Sequence, residues 1–161
     1  MNIKEQIINI LRQDARISNE RIAVMLDTTA NEVEKLIEEL EDEGIIIGYT
    51  AITNDEKLDK NFVCALIDVK VSPQVSCGYD GVAANIAAYR EVSSVYLMSG
   101  GYDLSVTIKG KNLREVAMFV TERLAPLDGV ISTTTHFILH RYKEKDKMFT
   151  RDTDERGLVS P

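Results

Sequence analysis

Tryptophan is absent from this 161-residue chain, histidine and cysteine occur twice each, and proline occurs three times. Cys64 and Cys77 form no C-x-x-C, which argues against a disulfide framework, a structural zinc site or a dithiol redox motif. With His136 and His140 as the whole imidazole supply, no metal site and no cofactor are expected. No apolar run approaches the roughly 18 residues that a membrane helix needs. Met1 to Arg12 mixes Lys4, Glu5 and Arg12 into its apolar residues, unlike a secretory signal. A cytoplasmic location without membrane contact is therefore expected. Gly and Pro are scarce (9 and 3), while apolar residues make up 44% and charged residues 28%. That balance describes a folded chain with room for one ordinary domain or two small ones.

The charge is unevenly placed. Residues 1 to 60 hold 7 basic residues against 14 acidic ones, so the full net charge of -7 sits there and the remainder is neutral. Such asymmetry suggests two units of different character.

In the first unit, Ile3, Ile7, Ile8, Ile10 and Leu11 recur at helical spacing, with Asn2 and Glu5 as a capping pair. Ser18 caps a second helix, Asn19 to Leu26, which turns Ile22, Ala23 and Leu26 inward. After a tight turn at Asp27 and Thr28, Thr29 and Glu32 form the capping box of a third helix. Its apolar stripe is Val33, Leu36, Ile37 and Leu40, and Gly44 stops it. Ile45 to Thr53, rich in Ile and Thr, reads as a strand. This order is that of a winged helix-turn-helix, expected over residues 1–53. The alternative is a structural three-helix unit that never touches DNA.

The third helix carries an electrostatic difficulty. Opposite its apolar stripe run Asn31, Lys35, Glu38 and Asp42, flanked by Glu32, Glu34 and Glu39. Laid flat in a major groove, those carboxylates would face phosphates. Only the N-terminal end suits DNA, where backbone N–H groups and the hydroxyls of Thr28 and Thr29 can hold a phosphate. The helix is thus expected to enter tip-first, with Asn31 and Lys35 reading base edges and Arg12, Arg16 and Arg21 touching the backbone of double-stranded DNA.

Residues 54–61 (NDEKLDKN) read as a polar linker. In the second unit, expected over residues 62–143, Phe62 to Val71 is a strand, Ser72 to Tyr79 a loop, and Asp80 to Arg90 a helix. Val92 to Ser99 and Tyr102 to Lys109 are strands around Gly100 and Gly101. Asn112 caps a helix to about Leu124, and Val130 to Tyr142 is the last strand. The order βαββαβ is the ferredoxin-like plan, so the fold class is α+β. Such a sheet leaves one face bare, and at least a dimer is expected to cover it. Residues 144–161, with alternating charge, read as an exposed tail.

The helix-turn-helix, the EGIIIGYTAI step, the LMSGGYDL turn and the ISTTTHFIL strand together resemble the Lrp/AsnC (feast/famine) family of transcriptional regulators over roughly residues 1 to 143. The resemblance implies an N-terminal DNA-binding domain and a C-terminal domain that oligomerises, often to octamers, and senses a small-molecule effector, usually an amino acid. It places the effector at Ser99, Gly100, Gly101, Tyr102 and Asp103, with Thr133 and Thr135 as additions. The chemistry fits: glycine bares backbone N–H groups to a carboxylate, Asp103 can pair an ammonium, and threonine hydroxyls donate and accept. Read without the resemblance, the same turn is a plain Gly-Gly hairpin with Asp103 holding the backbone. Two features depart from the family: Asp27 replaces the usual turn glycine, and the recognition helix has Lys35 as its sole base. A tetrapyrrole decarboxylase on the same two-domain plan, and a sensor that has lost DNA binding, are the competing functions.

Overall fold

The computed structural model describes residues 2–72 and 78–149. The chain divides into two compact units, the first spanning Met1–Ile52 and the second beginning at Thr53.

The first unit is three helices around an aliphatic core: α1 (Ile3–Gln13), α2 (Asn19–Leu26) and α3 (Ala30–Asp42). Local chemistry starts each one. The Asn2 side chain accepts from Lys4 N–H while Glu5 takes the Asn2 N–H, Ser18 accepts from Arg21 N–H, and Thr29 accepts from Glu32 N–H. Ile7, Ile22, Ala23, Val33 and Leu40 are buried between the helices. The α2–α3 turn passes through Asp27 in the left-handed region (φ 54°), which its short side chain tolerates at a modest cost. The Thr28 N–H then bonds back to the Ala23 carbonyl, closing the end of α2.

Ile45 to Thr53 is not a strand. After Gly44 (φ 67°) the N–H groups of Ile45 and Ile46 return to the Leu40 carbonyl, and the chain runs on with no ladder partner among the described residues. Its composition favours β structure, but a strand forms only against another strand, and Ile47 is left 95% exposed.

The second unit opens on a helical turn, α4 (Asp55–Leu58), within the segment expected to be a plain linker. There follow β1 (Val63–Val71), α5 (Asp80–Ala87), β2 (Val92–Leu97), β3 (Leu104–Gly110), α6 (Leu113–Phe119), which widens into a π turn over Val120–Leu124, and β4 (Val130–Phe137). The strands form one antiparallel sheet in the order β2-β3-β1-β4. Both helices pack on a single face, where Ile67, Val69, Leu104, Val106 and Ile108 meet Val82, Ile86, Val116 and Phe119. That is the ferredoxin-like arrangement, with the opposite face bare of helices.

Several boundaries are tighter than the sequence suggested. β2 stops at Leu97 and β3 starts at Leu104, so Tyr102 and Asp103 belong to the turn. β4 ends at Phe137 rather than Tyr142. The start of the expected tail instead folds into a two-residue-loop hairpin, β5 (Lys143–Glu144) and β6 (Lys147–Met148), with Lys145 and Asp146 at positive φ, as such tight hairpins require. The rest of that tail, 150–161, lies outside the described residues, as do 73–77 of the Ser72 to Tyr79 loop and Cys77 with them.

Candidate nucleic-acid interface and effector turn

All the residues expected to touch DNA lie on the first unit. Arg12 stands at the end of α1, Arg16 in the α1–α2 turn and Arg21 in the first turn of α2, all exposed. Thr28, Thr29, Asn31 and Lys35 mark the tip of α3, with the Lys35 side chain 76% exposed and 4.0 Å from Glu39. The two hydroxyls have internal duties. Thr29 caps the helix, and Thr28 donates to the Glu32 carboxylate. Glu32 thereby bonds Thr28 rather than closing the reciprocal half of the expected capping box, and it stands exposed at the tip.

Part of the acidity of α3 is met within the unit itself. Lys4 on α1 bridges Glu39 (3.1 Å) and Glu43 (2.8 Å), and both bonds hold its ammonium above the ordinary lysine pKa. The Tyr49 hydroxyl donates to Glu41 at 2.8 Å; burial first, then this bond, raises its pKa. Among the described residues the carboxylates of Glu34, Glu38 and Asp42 have no such bond, and at about 100° per residue they fall along one stripe. Neither Lys4 nor Tyr49 stood out in the sequence, because each acts over a distance that helical periodicity does not encode.

In the second unit, the turn between β2 and β3 is closed by backbone: Met98 N–H bonds Asp103 O at 2.8 Å, and Asp103 N–H bonds Val69 O at 3.1 Å. The Asp103 carboxylate takes the Val71 N–H at 2.9 Å through Oδ2, where β1 shifts register against β4. Among the described residues, Oδ1 takes no hydrogen bond. Ser99, Gly100 and Gly101 are exposed, while Tyr102 and Asp103 are half-buried. Neither glycine has a positive φ, and a Cβ on either would meet nothing within 4 Å. The folded protomer therefore does not itself require glycine there; open space in front of their backbone remains for something outside the chain.

Thr133 pairs with Val69 and Thr135 with Ile67, so both point to the helix-covered side of β4. Thr133 lies at the same end of the sheet as the turn, across β1 from Leu104, whereas Thr135 sits nearer the middle.

A second constellation gathers where the chain enters this unit. Asp55 accepts from the Thr53 hydroxyl at 2.6 Å and sits 3.3 Å from Lys109 and 3.9 Å from Arg141. The hydroxyl, then the two cations, pull its carboxyl below the usual range. Glu56 meets His140 at 3.4 Å, and Arg141 also pairs Glu144 at 2.9 Å and lies over the Phe149 ring. Asp55, Glu56, Arg141 and Phe149, with Asn54, Phe62, Cys64 and Ile138, line a cleft of about 30 Å³, room for little more than a water. Burial raises the Cys64 thiol above its ordinary pKa, which suits an inert core residue.

Both units have known counterparts. Residues 2–47 match the model described as winged helix-turn-helix DNA-binding, and residues 64–148 match the Lrp/AsnC ligand binding domain. The chain belongs to the Lrp/AsnC family. It is 49% identical to the HTH-type transcriptional regulator YugG of Bacillus subtilis across 97% of this chain and 95% of that one. It is 30% identical to FL11 of Pyrococcus furiosus, covering 91% and 94%. Among solved structures, a Neisseria meningitidis transcriptional regulator in complex with L-Met shares the fold with a TM-score of 0.74 at 21% identity, covering 89% and 92%. Escherichia coli AsnC does so at 0.70 and 19%, covering 89% and 95%. The Lrp/AsnC chain is thus a DNA-binding transcriptional regulator with a ligand-binding domain, not an enzyme, which sets aside the decarboxylase reading. No helix among the described residues is long and apolar enough to cross a membrane.

Proposed function

We propose that this regulator acts in the cytoplasm, that it reads double-stranded DNA with the tip of α3, and that an amino acid held at the Ser99–Asp103 turn modulates its DNA binding or its assembly. One observation carries the effector reading. The turn joins unobstructed Gly100 and Gly101 backbone, suited to a carboxylate, to a fixed Asp103 whose second oxygen takes no donor among the described residues, suited to an ammonium. The L-Met complex of the Neisseria relative supports the same ligand class. Thr133 adds a hydroxyl at that end of the sheet, and Thr135 a more distant one.

The bare sheet face supports the second part of the reading: two copies close over it as a homodimer, and dimers assemble further, to an octamer. Thermal melts in the presence of each of the twenty amino acids test the effector. A ligand that favours the folded assembly raises the melting temperature by mass action. If none of the twenty moves either the melt or the affinity for DNA, the effector reading fails.

At the tip of α3, the base readers are Asn31 and Lys35, while Arg12, Arg16 and Arg21 hold the phosphates from outside. Thr28 and Thr29 contribute less than their position suggests, because Glu32 occupies the one and needs the other as its cap.

A further inference from the structure

The chain enters the second unit through α4, a single helical turn. Isolated helices shorter than about 12 residues are marginal in water, so its own backbone bonds do not sustain it. None of its residues is buried, Leu58 is 79% exposed, and Asn54 at its start makes no side-chain cap bond. What holds it is a set of ion pairs. Asp55 reaches Lys109 near the end of β3 and Arg141 beyond β4, and Glu56 reaches His140. The partners are themselves fixed: Arg141 by Glu144 and the Phe149 ring, His140 edge-on to Tyr142 at 4.6 Å, and Lys109 over the Phe62 ring. The Asp55 and Arg141 side chains are 15% and 18% exposed, so solvent screens them less than an open surface pair.

The first unit holds the chain as far as Tyr49, through the Ile46 N–H on the Leu40 carbonyl and the Tyr49 hydroxyl on Glu41 of α3. Between the two anchorages, Thr50, Ala51 and Ile52 make no hydrogen bond beyond themselves among the described residues. We infer that Asp55 and Glu56 form a clasp that keeps the free chain between the two units short, and so makes DNA reading depend on the phase of the sites. They are positioning residues: neither touches DNA, and both act through the length of chain they immobilise. The inference rests on the assembly reading above, since phase matters only when one assembly carries several reading units.

Chain geometry gives the size of the effect. Thr50 to Ile52 span at most about 10 Å, less than the roughly 17 Å of half a turn of duplex. With the clasp open, residues 53–61 join them, and the free chain reaches about 40 Å before Phe62 and β1 resume. A reading unit on the longer tether can serve a site half a turn out of phase. Effective concentration falls roughly as the −3/2 power of length, so a tether about fourfold longer lowers it by about eightfold on phased sites.

Fluorescence anisotropy of the full chain on arrays of phased sites, and on arrays with alternate sites shifted by half a turn, tests this. The variants are Asp55→Lys, the charge swap Asp55→Lys with Lys109→Asp, and an insertion of about nine Gly/Ser residues after Ile52. The unaltered chain is expected to prefer the phased array by about tenfold per site. Asp55→Lys is expected to lower that preference to about twofold or less, and the insertion to do the same with the clasp intact. The swap is expected to restore most of it. Added charge alters affinity for both arrays alike and cancels in the ratio. Hydrogen exchange reads the clasp without DNA. The Lys57, Asp59 and Phe62 amides bond within the segment and are expected to exchange at least about tenfold faster in Asp55→Lys, with β1 still protected. Should β1 lose protection, Asp55→Ala takes its place under the same criteria. An undiminished phase preference or unaltered exchange in Asp55→Lys overturns the inference, as does a swap that restores none of the preference. If the insertion leaves the preference intact, tether length is not the lever and the inference falls. An unaltered chain that binds single and arrayed sites equally defeats the assembly reading, and the inference with it.

Discussion

The carboxylate of Asp103 has two oxygens, and in the protomer one of them is already taken by the Val71 N–H. On the proposed reading, two roles meet in one side chain, and substitution can separate them. Asn at this position still offers an oxygen to Val71 but carries no charge for an ammonium; Ala offers neither. Asp103→Asn is expected to melt close to the parent yet lose the amino-acid-induced rise. Asp103→Ala is expected to cost about 1–3 kcal/mol, because the Val71 N–H is left without its partner. Melting curves with and without the effector distinguish these cases. A full ligand-induced rise in Asp103→Asn would remove the carboxylate from the site. The same turn illustrates what a sequence can and cannot say. The order Gly100-Gly101-Tyr102-Asp103 announces a turn through its residue types alone, whereas the Val71 N–H, 32 positions away, becomes its neighbour only once β1 and β3 are paired.

Among the elements, α1, α2 and α3 were legible because their signals are local: Asn2, Ser18 and Thr29 cap them within three residues. Ile45 to Thr53 misled for the converse reason, since β composition states a preference and a ladder needs a partner strand. The β5–β6 hairpin hid in alternating charge, although Asp146 in a two-residue loop was a signal for it. The interactions that tie α3 down were equally invisible, yet they bear on its function. Glu39 and Glu43 are held by Lys4 and Glu41 by Tyr49, so Glu34, Glu38 and Asp42 are the carboxylates along α3 without such a partner among the described residues. Lys35→Ala is expected to weaken DNA binding and lower its salt dependence by about one counterion. Glu38→Gln is expected to tighten binding. Titrations at several salt concentrations check both, and an unchanged affinity in Lys35→Ala rules out the tip-first geometry. The elements at the entrance to the second unit make a prediction about pH. Asp55 has its carboxyl held low by Thr53, then by Lys109 and Arg141. A group depressed in the folded state contributes stability above its unfolded pKa, about 4, and that contribution disappears as pH falls through the folded value. Chemical denaturation between pH 6 and pH 3 should therefore show an acid limb that is shallower in Asp55→Asn.

At the scale of the whole molecule, net charge and DNA binding pull against each other. The chain carries a net charge of -7, all of it arising within residues 1 to 60, which include the reading unit. Duplex DNA rewards cations by releasing its condensed counterions, so a single acidic reading unit gains little from contact. Assembly changes the arithmetic without changing any contact. Once one reading unit is bound, the next meets its site at an effective concentration set by the assembly, in the millimolar range for short connections, and overall affinity can rise by about 10²–10⁴. The regulator is thus expected to bind one half-site weakly and an array of phased sites strongly. Fluorescence anisotropy with a duplex carrying one site, and with duplexes carrying several sites spaced by whole turns of about 10–10.5 base pairs, measures the difference. The array should bind at least about tenfold more tightly per site, and shifting alternate sites by half a turn should remove most of that gain, because the reading units would then face opposite sides of the helix. Equal affinity per site on single and arrayed duplexes would mean that each pair of reading units suffices alone and that α3 tolerates its carboxylates at the groove.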